Sequence, residues 1–196
     1  MSRPPAIIVR SALPQQFPTQ QHPPEFWEHL GRAVGSFGFL EGTLAKAIFA
    51  FTATTAYSEK EVQAVLSKWP ALLNRALSDT LYPLAEVYGR VVRENQEANF
   101  ENVSDLVEDI KKAAALRNAL CHGSWGAPDA SGKSDLFFFN KQGEKFDTRV
   151  DIEWLRELQA HVQKLICTVI DSVTVMGWQF PGGAGPGETI WPTPPR

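Results

Sequence analysis

From Glu25 to Phe51 the apolar residues Trp27, Leu30, Val34, Phe37, Leu44, Ile48 and Phe51 recur at steps of three and four, with one gap. That spacing lays them along one side of a long α-helix, because 3.6 residues complete a turn. A helix of this length with one apolar stripe must be covered by other helices or by a sheet. The gap is filled by Glu41, where the stripe calls for another apolar side chain. A carboxylate buried there alone is costly, so Glu41 either turns toward a cation on a neighbouring helix or slides into solvent beside Gly38 and Gly42.

The rest of the chain continues the helical pattern. Ser58 and Glu61 have the spacing of a capping box opening a second helix through Val62, Val65, Leu66 and Trp69. Pro70 and Pro83 punctuate the next stretch, and a further helix runs through Leu84, Val87, Val91 and Val92 to about Ala98. Ser104 is the expected cap of the next helix, whose stripe reads Val107, Ile110, Ala114, Arg117 and Cys121. Residues 126–134 form a loop. Leu136 to Asn140 and Lys145 to Val150, joined by a turn containing Gly143, read as a small β-hairpin. Asp151 caps a last long helix carrying Leu155, Leu158, Val162, Leu165, Val169, Val173 and Met176 along one side. The expected fold is therefore all-α: an antiparallel bundle of four to five helices with a small β-hairpin inserted before the last one.

Prolines set the boundaries. Residues 1–24 hold Pro4, Pro5, Pro14, Pro18, Pro23 and Pro24 and read as an N-terminal arm, residues 25–178 as the helical domain, and residues 179–196 as a Pro- and Gly-rich tail containing Trp191. At 196 residues, 43% of them hydrophobic, the chain suits one well-buried domain. Its net charge of −3 argues against holding long nucleic acid through a broad basic surface, which needs many phosphate contacts, and leaves room only for a local cationic pocket. Cys121 and Cys167 fall in helical, mostly apolar surroundings and are expected to behave as small buried hydrophobes, with no zinc-binding spacing. No run of 18 apolar residues and no signal-peptide pattern is seen, so the expectation is a cytoplasmic protein without a membrane association.

Chemistry concentrates in Leu116-Arg-Asn-Ala-Leu-Cys-His-Gly-Ser-Trp125. Arg117 with Cys121, and Asn118 with His122, are each four apart, so guanidinium and imidazole lie on neighbouring stripes of one helix face. Gly123 fits the left-handed position just past a helix end, which puts His122 in the last turn. Arg117 occupies a stripe position, as Glu41 does in the first helix. Two opposite charges interrupting two apolar stripes are expected to meet. The same residues also fit a plainer role, with Arg117 in a salt bridge and His122 set favourably against the helix dipole.

The run Arg117-Asn118-x-x-x-His122-Gly123 resembles the Arg-x4-6-His signature of the HEPN superfamily, many of whose members are metal-independent ribonucleases. The resemblance implies that Arg117 and His122 are catalytic and that Asn118 supports a phosphate or the imidazole, with no cofactor and no metal. It further implies a homodimer in which two such motifs face one composite cleft, acting on RNA as a toxin or antiviral effector with an antitoxin or other protein as partner. Ser124 stands where one toxin subgroup carries a tyrosine, so control by nucleotidylation at that position is not implied. A non-catalytic HEPN-like module binding a nucleotide or protein, and a plain helical interaction protein, remain open beside the nuclease.

Overall fold

A computed structural model describes residues 6–98 and 100–183, with the backbone alone for 72–78; Trp191 and most of the expected tail lie outside these residues. Among the described residues there are five α-helices: α1 (Pro24–Thr54), α2 (Glu59–Ser78), α3 (Leu81–Glu94), α4 (Val103–His122) and α5 (Ile152–Thr174). Two short strands, β1 (Ser124–Trp125) and β2 (Leu136–Phe137), pair antiparallel between α4 and α5.

Pro24 starts α1 at the first helical position, where its missing N–H has no intrahelical partner to lose. The helix buries Phe26, Ala33, Phe37, Leu40, Leu44, Ala47, Ile48 and Phe51. Its first half is thus rotated relative to the stripe read from sequence: Val34 is 36% exposed, while Phe26, Ala33 and Leu40 face the core. The reason is that α1 packs against both α5 and α3, so the buried arc is wider than one stripe. By length and composition α1 could cross a membrane, with a mean hydropathy of 1.3 over its most apolar window; 44% of that window is buried inside the protein.

Successive helices reverse direction. Phe49 of α1 meets Trp69 of α2, so α2 folds back along α1. The start of α3 lies beside the middle of α1 through Glu41 and Leu81, and Asn95 after α3 reaches the Phe51 carbonyl near the end of α1. Lys111 of α4 pairs with Glu86 of α3, placing these two helices antiparallel. Arg156 and Gln159 of α5 bond Glu25 and His29 at the start of α1, so these two helices, four reversals apart, run parallel. In the core between α3 and α5 the Tyr88 hydroxyl donates to Ser172 Oγ at 2.7 Å, and burial pushes that phenol up to about 12.

Local details depart from the sequence reading. Glu61 reaches back to the Ser58 N–H at 2.9 Å and accepts from its hydroxyl at 2.6 Å, so only the carboxylate half of the capping box forms. Asn95 ends α3 four residues earlier than expected because its amide is drawn to the Phe51 carbonyl and to Thr54 and Thr55. Asn102, in a left-handed conformation, precedes α4 in place of a Ser104 cap. Asp151 caps α5 as expected, accepting from the Trp154 N–H at 2.8 Å. The regular strand pairing joins Leu136–Phe137 to Ser124–Trp125; the expected partner strand 145–150 contributes only single bridges, Phe139 with Lys145 and Ser134 with Val150.

Both Cys121 and Cys167 are exposed, since they sit on the outer faces of α4 and α5, which overturns their expected burial. The end of the N-terminal segment is docked: His22 is buried, and the Trp27 indole donates to the Thr19 carbonyl. At the other end Phe180 is buried and Trp178 packs on Phe51, so the folded body continues past residue 178.

Candidate functional site

Arg117, Asn118 and His122 open onto one cleft of about 740 Å³. The last three turns of α4 form one wall, the start of α3 (Thr80, Tyr82, Pro83) a second, and residues 138–142 of the turn after β2 a third. Its charged lining residues are Lys111, Arg117 and Lys141, and among the described residues no carboxylate lines it. In a chain of net charge −3 this is a local cationic concavity.

Glu41 lies behind that wall. Its Oε1 is 3.7 Å from Arg117 Nη2 and accepts the Leu81 backbone N–H at 3.1 Å. Leu81 opens α3, whose preceding residue Thr80 makes no side-chain cap, so the carboxylate takes up an otherwise unpaired donor and faces the positive helix end. One carboxylate thereby joins three helices and steadies the guanidinium. Both side chains are about one-quarter exposed, 27% for Arg117 and 24% for Glu41, so the pair is neither fully desolvated nor fully screened. Arg117 Nη1 also donates to Asn118 Oδ1 at 3.3 Å. Of the two alternatives for Glu41, it is the ion pair that forms, and with Arg117 rather than His122.

His122 is the last residue of α4 and is exposed. Among the described residues its ring has no hydrogen-bond partner, so its face of the cleft is free to meet a ligand. Gly123, the next residue, has φ −78° and ψ 155°, an extended conformation and not the left-handed one expected. Space, not backbone strain, requires glycine here: a Cβ would stand 2.5 Å from Leu136 Cδ1 and 2.7 Å from the Ala119 carbonyl oxygen. The close approach of Leu136 lets β2 pair directly after His122 and brings the 138–142 turn over the end of α4.

Lys111 is held by Glu86 and Glu108, which raise its ammonium well above the usual lysine range, and it sits 5.4 Å from the centre of the Tyr82 ring. Its charge is largely answered within the protein. Lys141, by contrast, is exposed and has no ion-pair partner among the described residues.

Three contributors escaped the sequence reading. Lys141 and Phe139 line the cleft, although the expected hairpin marks Phe139 only as a strand residue and the lysine only as part of a turn. His22 Nε2 lies 2.7 Å from Ser134 Oγ, its ring is stacked at 4.2 Å on Phe26, and it meets Trp125 edge-on. Burial lowers its pKa. This cluster props the segment after His122. Nothing in the sequence but a histidine beside prolines marks it.

Among the described residues no three His, Cys, Asp or Glu side chains are grouped so as to hold a metal ion. Comparison with models of protein families, with curated proteins and with solved structures returned no match.

Proposed function

We propose that the chain is a HEPN-like endoribonuclease acting without a metal, working through the cleft at Arg117 and His122. The observation that carries the reading is a concavity lined by cations and free of carboxylates, in which a guanidinium steadied by Glu41 stands beside Asn118 and an unengaged imidazole. Its lining suits a phosphodiester. Arg117 would hold the non-bridging oxygens through its fork and offset the charge that grows on them as the 2′-oxygen attacks phosphorus. His122 would take the 2′-hydroxyl proton or give a proton to the departing 5′-oxygen, leaving a 2′,3′-cyclic phosphate.

One imidazole cannot be base and acid in the same in-line step. We therefore extend the proposal to a homodimer in which two Arg117–His122 sets share a cleft, one histidine taking each role. A toxin or antiviral role with a protein antagonist goes with this reading. The exposure of His122 without an orienting partner favours a second reading, a module that binds a phosphorylated ligand and does not cleave it.

The separating experiment is incubation of the purified chain with total tRNA in EDTA, beside H122A and R117A. The nuclease reading expects cleavage with cyclic-phosphate ends, falling by about 10²–10⁴-fold in H122A. No cleavage by the wild type, with retained binding of the RNA, would leave the binding module.

A further inference from the structure

The third wall of the cleft has no role in the phosphodiester chemistry of Arg117 and His122, yet it is built as a platform. Phe139 lines the cleft and is 49% exposed, with its ring held edge-on at 5.3 Å by Phe137. The turn after it is tied down by Asn140. Its Oδ1 accepts from the Gln142 and Glu144 N–H groups at 3.0 and 2.9 Å, and its Nδ2 donates to the Glu144 carboxylate at 2.6 Å. Glu144, the nearest carboxylate in sequence, is thereby engaged, while Lys141 projects with no ion-pair partner among the described residues. An exposed aromatic face and an exposed ammonium, two residues apart on a stiff turn, stand across the cleft from Arg117.

We propose that this turn recognises single-stranded RNA: Phe139 stacks a nucleobase next to the scissile position, and Lys141 holds a neighbouring phosphate. The inference rests on the nuclease reading for its choice of RNA. Every base has a flat face that stacks on an aromatic ring, but within a duplex both faces are already covered, so the platform selects unpaired strands. Phosphates on either side of the stacked base would meet Lys141 and Arg117, which explains why the cleft carries cations on two opposing walls. An acidic peptide would satisfy the cations and leave Phe139 unused.

The test is fluorescence anisotropy of a 5′-labelled single-stranded RNA decamer with the full chain carrying H122A, which prevents turnover. Phe139→Ala and Phe139→Leu, the latter keeping apolar bulk without a flat face, are each expected to weaken binding by about 5- to 100-fold. Phe39→Ala, which removes an aromatic residue of greater exposure (64%) on α1 outside the cleft lining, is expected to stay within about twofold. An abasic site scanned through the decamer should, at one position, abolish the further loss caused by Phe139→Leu. Lys141→Ala should lower the slope of log affinity against log salt by about 0.7, one phosphate contact on a single strand.

Equal losses at Phe39 and Phe139, undiminished binding in Phe139→Leu, equal affinity for duplex RNA, or displacement by poly-glutamate as effective as by unlabelled RNA would each overturn the platform. Its failure is separable from that of the nuclease. Cleavage of tRNA that is indifferent to Phe139 removes the platform and keeps the enzyme. Phe139-dependent RNA binding without any cleavage does the reverse.

Discussion

Replacing Gly31, Gly35, Gly38 and Gly42 by alanine should stabilise this protein, and by a predictable amount. All four lie inside α1, have no positive φ, are exposed, and have nothing within 4 Å of where a Cβ would stand. Alanine therefore costs no packing and removes only the entropic penalty of glycine in a helix interior, about 0.8–1.0 kcal/mol per site. The four together amount to about 3–4 kcal/mol, less a few tenths if the i,i+4 neighbours couple. For a chain of this size that is an upward shift in Tm of about 6–16 °C. Urea unfolding of the single and quadruple variants, with an unchanged m value, is the assay, and thermal melts are the check. Gly89→Ala provides the opposite sign within the same protein: its Cβ would stand 2.7 Å from Val107 Cγ2, and it should destabilise. A quadruple variant no more stable than the parent would refute the reasoning, because it would mean that this face of α1 is covered by another surface in solution.

Two further expectations concern the supports of the cleft. His22 has its pKa lowered by burial, so below about pH 6.5 the unfolded chain binds a proton that the folded ring resists, and stability falls with pH until the folded ring itself protonates. H22Q, which keeps a hydrogen-bonding group toward Ser134 without titrating, should flatten that part of the curve of Tm against pH; identical slopes in the two proteins would contradict it. Gly123→Ala drives a methyl into Leu136 and the Ala119 carbonyl and should cost about 1–3 kcal/mol in urea unfolding, and less than that when both proteins compared already carry Leu136→Ala. Wild-type stability in the single variant would show that β2 does not bear on the end of α4 so closely.

The meeting of Glu41 and Arg117 is legible in the sequence, because a charge at a position that a helical stripe reserves for apolar side chains has few low-energy options. The Asp151 cap is legible for a similar reason, since a short acceptor side chain before an apolar run has an orphan donor within reach. Cys121 and Cys167 mislead because residue type alone does not say which arc of a helix is covered. Gly123 misleads because glycine serves two needs, a left-handed backbone and a close approach, and the chain reads the same for both.

Local periodicity and capping chemistry thus determined, from the sequence alone, the helical class, the order of helices to within a count of four to five, and the one face on which guanidinium and imidazole stand together. These depend on interactions between residues three or four apart. What only the tertiary structure decided is which walls complete the cleft: that β2 pairs with the two residues after Gly123, that Phe139 and Lys141 therefore hang over the end of α4, and that His22 is drawn in from the proline-rich segment to prop Trp125. The physical reason is that contacts between residues far apart in the chain are set by how several helices fill space at once, and no stretch of local sequence encodes that choice.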